Sequence, residues 1–250
     1  MTRALTRTPL HSSRLMRTLA DLALMDAAQA GTAFAEKLGQ WMNLGHAIAL
    51  HGALNAPPVA IKTPAPTGLR AALGTEFARV RAALERPITS IANPLAPRGR
   101  GGMPAPDLLL PIDMPSAFEP YRRYYLAQQR DMALATGPLR SQVRDVLARS
   151  SPALKTLATL DAALDSILND RESKLLAHLP GLLEQRFSQL LNEHQLKVER
   201  SGLTDNPAYW MHAGGWLARF RTDLQTVLLA ELDLRLQPTV GLMEALNHEI

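Results

Sequence analysis

Apolar residues recur at three- and four-residue steps along most of this chain, the spacing that lines up side chains on one face of a helix. The longest such run is WLARFRTDLQTVLLAELDLRLQPTVGLMEAL, from Trp216 to Leu246. Leu217, Phe220, Leu224, Val227, Leu228, Leu232 and Leu236 share a face, and Leu229 and Leu234 widen it, so the spacing predicts a core helix with little wet circumference. Pro238 lacks an amide hydrogen and its ring crowds the preceding turn, so the helix is expected to end there and Val240 to Leu246 to fold back. Trp210 and Trp216, on either side of Gly214 and Gly215, are expected to pin the preceding loop to the core.

The same reading lays out the rest. Leu15, Leu19, Leu22 and Met25 predict a first helix capped by Ser12 or Ser13. Thr32 is expected to cap a second, with Phe34, Leu38, Trp41, Met42, Ile48 and Leu54 inward; Pro-rich NAPPVAIKTPAP follows as a connector. A third helix is expected from about Thr67 to Leu84 along Leu69, Leu73, Phe77, Val80 and Leu84. A fourth starts near Ser116 and is expected to stop at Gly137 and Pro138. The stripe Leu139, Val143, Val146 and Leu147 leads to Ser151 and a first-turn Pro152. Leucine-rich periodicity then continues to Pro180 and, beyond it, through Leu182, Phe187, Leu190 and Leu196. The expectation is an all-α, multi-helix bundle of about eight amphipathic helices with Pro/Gly-rich connectors. It divides into an N-terminal helical region, 1–92, a Pro/Gly-rich linker, 93–115, and a C-terminal bundle, 116–250, packed with the N-terminal region.

Composition supports the class: 46% of the residues are hydrophobic but only 5% aromatic, which leaves the core to Leu, Ala, Val and Met, good helix formers, with few β-branched runs. There is no cysteine, which excludes disulfides, thiol nucleophiles and Cys-ligated metals. No apolar stretch approaches the roughly 20 residues that span a bilayer, so a cytoplasmic protein without a transmembrane segment is expected. Arg3, Arg7, Arg14 and Arg17 precede the first acid, Asp21, as in a basic tail or a targeting segment. The net charge of +4 is mild for 250 residues.

Candidate chemistry is sparse. The chain has no phosphate-binding glycine loop, no Gly-x-Ser-x-Gly elbow and no Glu-x-x-His pair; neither catalytic residues nor a cofactor or metal site is assigned. The densest aromatic and basic cluster is Tyr121, Arg122, Arg123, Tyr124 and Tyr125. It suits a protein interface, stacking on nucleobases, or rings packed inward with the guanidiniums outside. Arg79 and Arg81 lie on the wet side of the third helix, as an anion-binding face or as partners of helix ion pairs. Asp161 and Asp165 stand one turn apart, fit for a cation, for acid–base work or for a charged helix edge. Glu231 and Arg235 are spaced as a helix ion pair that would fix the register of neighbouring helices.

LGQWMNLGHAIAL from Leu38, YRRYYLAQQRDM from Tyr121, LRSQVRDVLARSSPALKTLATLDAALD from Leu139 and LLAELDLRLQPTVGLMEAL from Leu228 resemble a family of proteobacterial proteins with no assigned activity. The likeness covers most of the chain. Members are often encoded beside a proton-channel protein like those of flagellar stators and an outer-membrane-anchoring protein, which implies a cytoplasmic accessory to an envelope machine. The leading expectation is therefore a non-catalytic helical scaffold or adaptor, with protein partners drawn from such a complex and with self-association open. A nucleic-acid binder using Arg79, Arg81, Arg98, Arg100, Arg122 and Arg123 is the alternative. An enzyme built on Asp161, Asp165 and His212 comes third.

Overall fold

The computed structural model describes residues 13–24, 44–55, 68–90, 102–105, 114–202 and 204–248. Within them run α1 (Arg14–Asp21), α2 (Leu44–Leu54), α3 (Leu69–Thr89), α4 (Met114–Ser150), α5 (Pro152–Leu176), α6 (Leu179–Ser201), a 3-10 turn (Pro207–Tyr209) and α7 (Trp216–His248), with no strand among the described residues. The chain is all-α, a multi-helix bundle. Thr32, Phe34, Leu38, Trp41 and Met42 of the expected second helix, and Arg98 and Arg100, lie outside the described residues.

Two helix starts follow their serine caps. Ser13 Oγ accepts the Met16 amide at 3.3 Å, and Ser151 Oγ accepts that of Leu154 at 3.2 Å, with Pro152 in the first turn as expected. Gly202, at φ 65°, takes the left-handed conformation that closes α6.

Three helix ends differ from the sequence expectation. Pro138 and Gly137 do not stop α4, and Pro238 does not stop α7, which runs on through the segment expected to fold back. An interior proline costs about 3 kcal/mol, whereas burying each leucine side chain gains about 1.5–3 kcal/mol. Beyond Pro238, Leu242 and Leu246 are buried, and beyond Pro138 so are Val143, Val146 and Leu147. Continuing the helix wins. Pro138 is also exposed, so water can satisfy the carbonyl one turn earlier. α3 likewise passes Leu84 and reaches Thr89 through Pro87, because Ile88 is fully buried.

α7 organises the rest. All seven residues of its expected face are buried, from Leu217 to Leu236. α7 packs against α1, α3, α4, α5 and α6, while α2 lies on α5. The larger apolar cluster joins Leu15 and Leu19 of α1, Leu84 and Ile88 of α3, and the first half of α4 to α6 and α7. A smaller cluster lies around Leu73, Val143, Leu147, Leu154, Leu242 and Leu246. Several of the described aromatics cluster: Phe187 meets Phe220 edge-on with ring centroids 4.9 Å apart, and Trp216 at 5.2 Å, while Tyr121 meets Phe220 at 5.2 Å.

Candidate functional site

Tyr121, Tyr124 and Tyr125 lie on the inner face of α4, and all three are buried. Arg122 and Arg123 between them point out and share Glu119, each at 3.4 Å. Helical spacing produces this split, since residues 121, 124, 125 and 128 fall on one face. The surface this cluster offers is its arginines. The Tyr124 hydroxyl donates to the Pro87 carbonyl at 2.9 Å, and Gln225 Nε2 to the Ile88 carbonyl at 2.8 Å, so side chains of α4 and α7 satisfy the open end of α3.

Tyr125 reaches the fully buried Glu231 carboxylate, its hydroxyl donating at 2.6 Å. Gln129 Nε2 donates to both carboxylate oxygens at 3.1 Å, and Arg235 approaches to 2.8 Å. Gln129 Nε2 also donates to the Leu176 carbonyl at 3.0 Å, which ties the end of α5 into the same group. The α7 pair expected from sequence is thus half of a network between helices, whose other members come from α4.

Burial, reinforced at Tyr125 by the Glu231 carboxylate, pushes the phenol pKa values up: Tyr121 above 10.0, Tyr124 to about 12, and Tyr125 well above 10.0. Below pH 10 these phenols are neutral in both states. Above it the unfolded chain loses their protons first, so this stabilisation drains away as the pH rises from 10 through about 12. The melting temperature is expected to fall steeply over that window, with the tyrosinate absorbance of the three rings appearing together with unfolding.

Asp161 and Asp165 face α4 and are gripped by Arg140 and Arg144. Arg140 donates to Asp161 at 2.6 and 2.9 Å and to Asp165 at 2.7 Å; Arg144 meets the same carboxylates at 2.6 and 2.7 Å. Burial alone would raise the Asp161 carboxyl, but the two arginines more than offset it and hold it below its ordinary value. Every oxygen of the pair already accepts a guanidinium hydrogen bond. A cation or a substrate proton would have to displace an arginine. Glu172, further along α5, is pushed up mainly by burial, against the pull of Arg235 and Arg140, and so lies between the two networks.

Arg79 pairs with Glu76 at 2.6 Å on α3, and Arg81 with Glu85 at 2.7 Å and Asp233 of α7 at 2.9 Å; Arg14 of α1 pairs with the same Asp233. Sequence spacing marks the pairs within α3, but the link to Asp233 crosses 152 residues and had no local signal.

The loop before α7 is held as expected at both tryptophans, and through a group the sequence reading passed over. Asp205 Oδ1 accepts Trp210 Nε1 at 3.0 Å and lies 3.0 Å from His194 Nε2, whose ring stacks on Trp216. A Cβ on Gly215 would stand 2.3 Å from the Trp210 carbonyl oxygen, so only glycine fits that return. His212 lies here against Tyr209, on a different element from Asp161 and Asp165 of α5. Among the described residues no group of three or more His, Asp or Glu could hold a metal ion.

A family model described as a protein of unknown function (DUF3348) matches residues 1–248. No curated protein and no solved structure matches the chain.

Proposed function

The chain belongs to that DUF3348 family, whose description assigns no activity, and we propose from its surfaces that it is a non-catalytic helical adaptor that binds other proteins. The observation that carries this reading is α2, LGHAIALHGAL, which is apolar nearly all round. Its Ala53 is buried while Leu44, Ile48 and Leu54 are 78%, 62% and 64% exposed. A helix with apolar residues left in water on one side is suited to a further protein surface. Leu134 of α4 and Leu175 of α5 are also large and open. The gene neighbourhood of the family it resembles supports a cytoplasmic accessory of an envelope proton-channel-type complex, and no described helix is long and apolar enough to cross a membrane. Self-association through the same face is the form this binding takes if no other partner exists.

Nucleic acid binding has less support. Arg79, Arg81, Arg122 and Arg123 are each in an ion pair, so a phosphate would compete with a carboxylate for them.

The test is affinity purification of the tagged chain from its native cell, with and without nuclease, beside Leu44→Glu/Ile48→Glu. Both sites are exposed, and their replacement is expected to leave helix content unchanged by circular dichroism. Envelope proteins recovered irrespective of nuclease and lost with the variant support the adaptor. Partners that vanish with nuclease, or that persist undiminished with the variant, overturn it.

A further inference from the structure

A cleft of about 570 Å³ opens where the end of α6, the 3-10 turn and the first turn of α7 meet. That is the size of sites for small organic ligands, about 300–1,000 Å³. Part of the lining is aromatic. Tyr209, 62% exposed, meets the exposed His212 edge-to-face with ring centroids 5.2 Å apart. Deeper in, the His194 ring lies over Trp216 at 6.1 Å and 28°. The lining also carries cations. Lys197 of α6 and Arg219 of α7 line the cleft from different helices, and among the described residues neither has a carboxylate partner.

Two acids also border the cleft, and each already accepts hydrogen bonds from within the protein. Asp205 holds Trp210 and His194, and Glu193 takes Gln189 Nε2 at 3.2 Å. The first turn of α7 carries no acidic residue, so the positive end of its backbone dipole is not offset there. Gly214 and Gly215 form part of the wall, which lets a ligand come close to the backbone.

We infer that this cleft binds a small molecule made of a planar aromatic ring and an anionic group, the ring resting on Tyr209 and His212 and the anion lying between Lys197 and Arg219. Stacking tolerates many rings, and a flexible lysine together with an arginine fork accepts phosphate or carboxylate alike. Recognition therefore rests on the combination of ring and charge. The inference is independent of the α2 surface and survives if the adaptor reading fails.

Calorimetric titration of the full-length protein at low salt tests it with four probes: adenosine monophosphate, indole-3-acetate, adenosine and inorganic phosphate. The nucleotide or the aromatic carboxylate is expected to saturate the protein at least about tenfold more tightly than adenosine or phosphate alone; which one does so separates a phosphate ligand from a carboxylate. Lys197→Ala/Arg219→Ala and, separately, Tyr209→Ala are expected to weaken that binding about tenfold or more. These side chains are exposed, so circular dichroism and melting should not change. Three results would overturn the inference: no saturation by either ring-and-anion probe up to about 5 mM, equal binding of adenosine or phosphate alone, or binding indifferent to these substitutions.

Discussion

Replacing Glu231 with leucine is expected to lower stability by about 3–5 kcal/mol, the cost of leaving the other charge of a buried pair uncompensated. The carboxylate is fully buried, and Tyr125, Gln129 and Arg235 all donate to it. Without it, Arg235 keeps a charge that is only 13% exposed and loses its partner at 2.8 Å. The Tyr125 hydroxyl loses its acceptor at the same time. Glu231→Gln keeps an acceptor for the tyrosine and loses only the charge, so its effect should be smaller. Glu231→Leu combined with Arg235→Leu removes the stranded guanidinium and should recover part of the loss. Urea unfolding midpoints of the three variants check the order. If the double variant is no better than the single, the cost lies in the Tyr125 and Gln129 contacts instead.

The second large effect is expected at Asp161. Its carboxylate is 13% exposed and takes guanidinium bonds from both Arg140 and Arg144, themselves 15% and 16% exposed. Asp161→Ala should cost about 2–4 kcal/mol, since two largely buried cations lose their main acceptor. Asp165 is 36% exposed and solvent screens it more, so Asp165→Ala should cost no more than about 1 kcal/mol. The pH dependence has a definite sign. Because Asp161 titrates below its ordinary 3.8 in the folded state, its contribution is present above 3.8 and disappears as the pH falls through the lowered value. Acid unfolding of the wild type should therefore show a loss below pH 3.8 that Asp161→Ala lacks. Equal costs at the two aspartates would mean that burial is not what sets the strength of this cluster.

How much of this was legible in the sequence depended on distance along the chain. The buried face of α7 was legible because a helical period repeats within a few residues, and Leu217, Phe220, Leu224 and Leu228 state it directly. Glu231 and Arg235 were legible as a pair for the same reason. Tyr125 and Gln129, their partners from α4, are 106 and 102 residues away from Glu231, and no local pattern marks such a meeting. The clamp at Asp161 lay between these extremes. Arg140 and Arg144 are one turn apart, Asp161 and Asp165 are one turn apart, and the two pairs stand at mirror positions about Pro152, as an antiparallel helix pair requires. That symmetry was a usable signal and went unread. Pro138 and Pro238 misled for another reason. A residue's intrinsic cost is visible in the sequence, whereas the leucines and valines that outweigh it count only once their burial is known. The aromatic cleft was hidden almost entirely, because it assembles Lys197, Tyr209, His212 and Arg219 across a turn whose path Gly215 and Asp205 determine.

The place of α7 in chain order bears on how the protein comes to be folded as it is made. α1 and α3 lean on α7, and Arg14 reaches Asp233 across 219 residues. At about 5–20 residues per second of synthesis, α1 leaves the ribosome on the order of ten to forty seconds before its partner does. Leu15, Leu19, Leu84 and Ile88 spend that interval without the surface that buries them in the finished molecule. The bundle can close around these residues only once α7 has been made, so the making of any early helix does not set that moment.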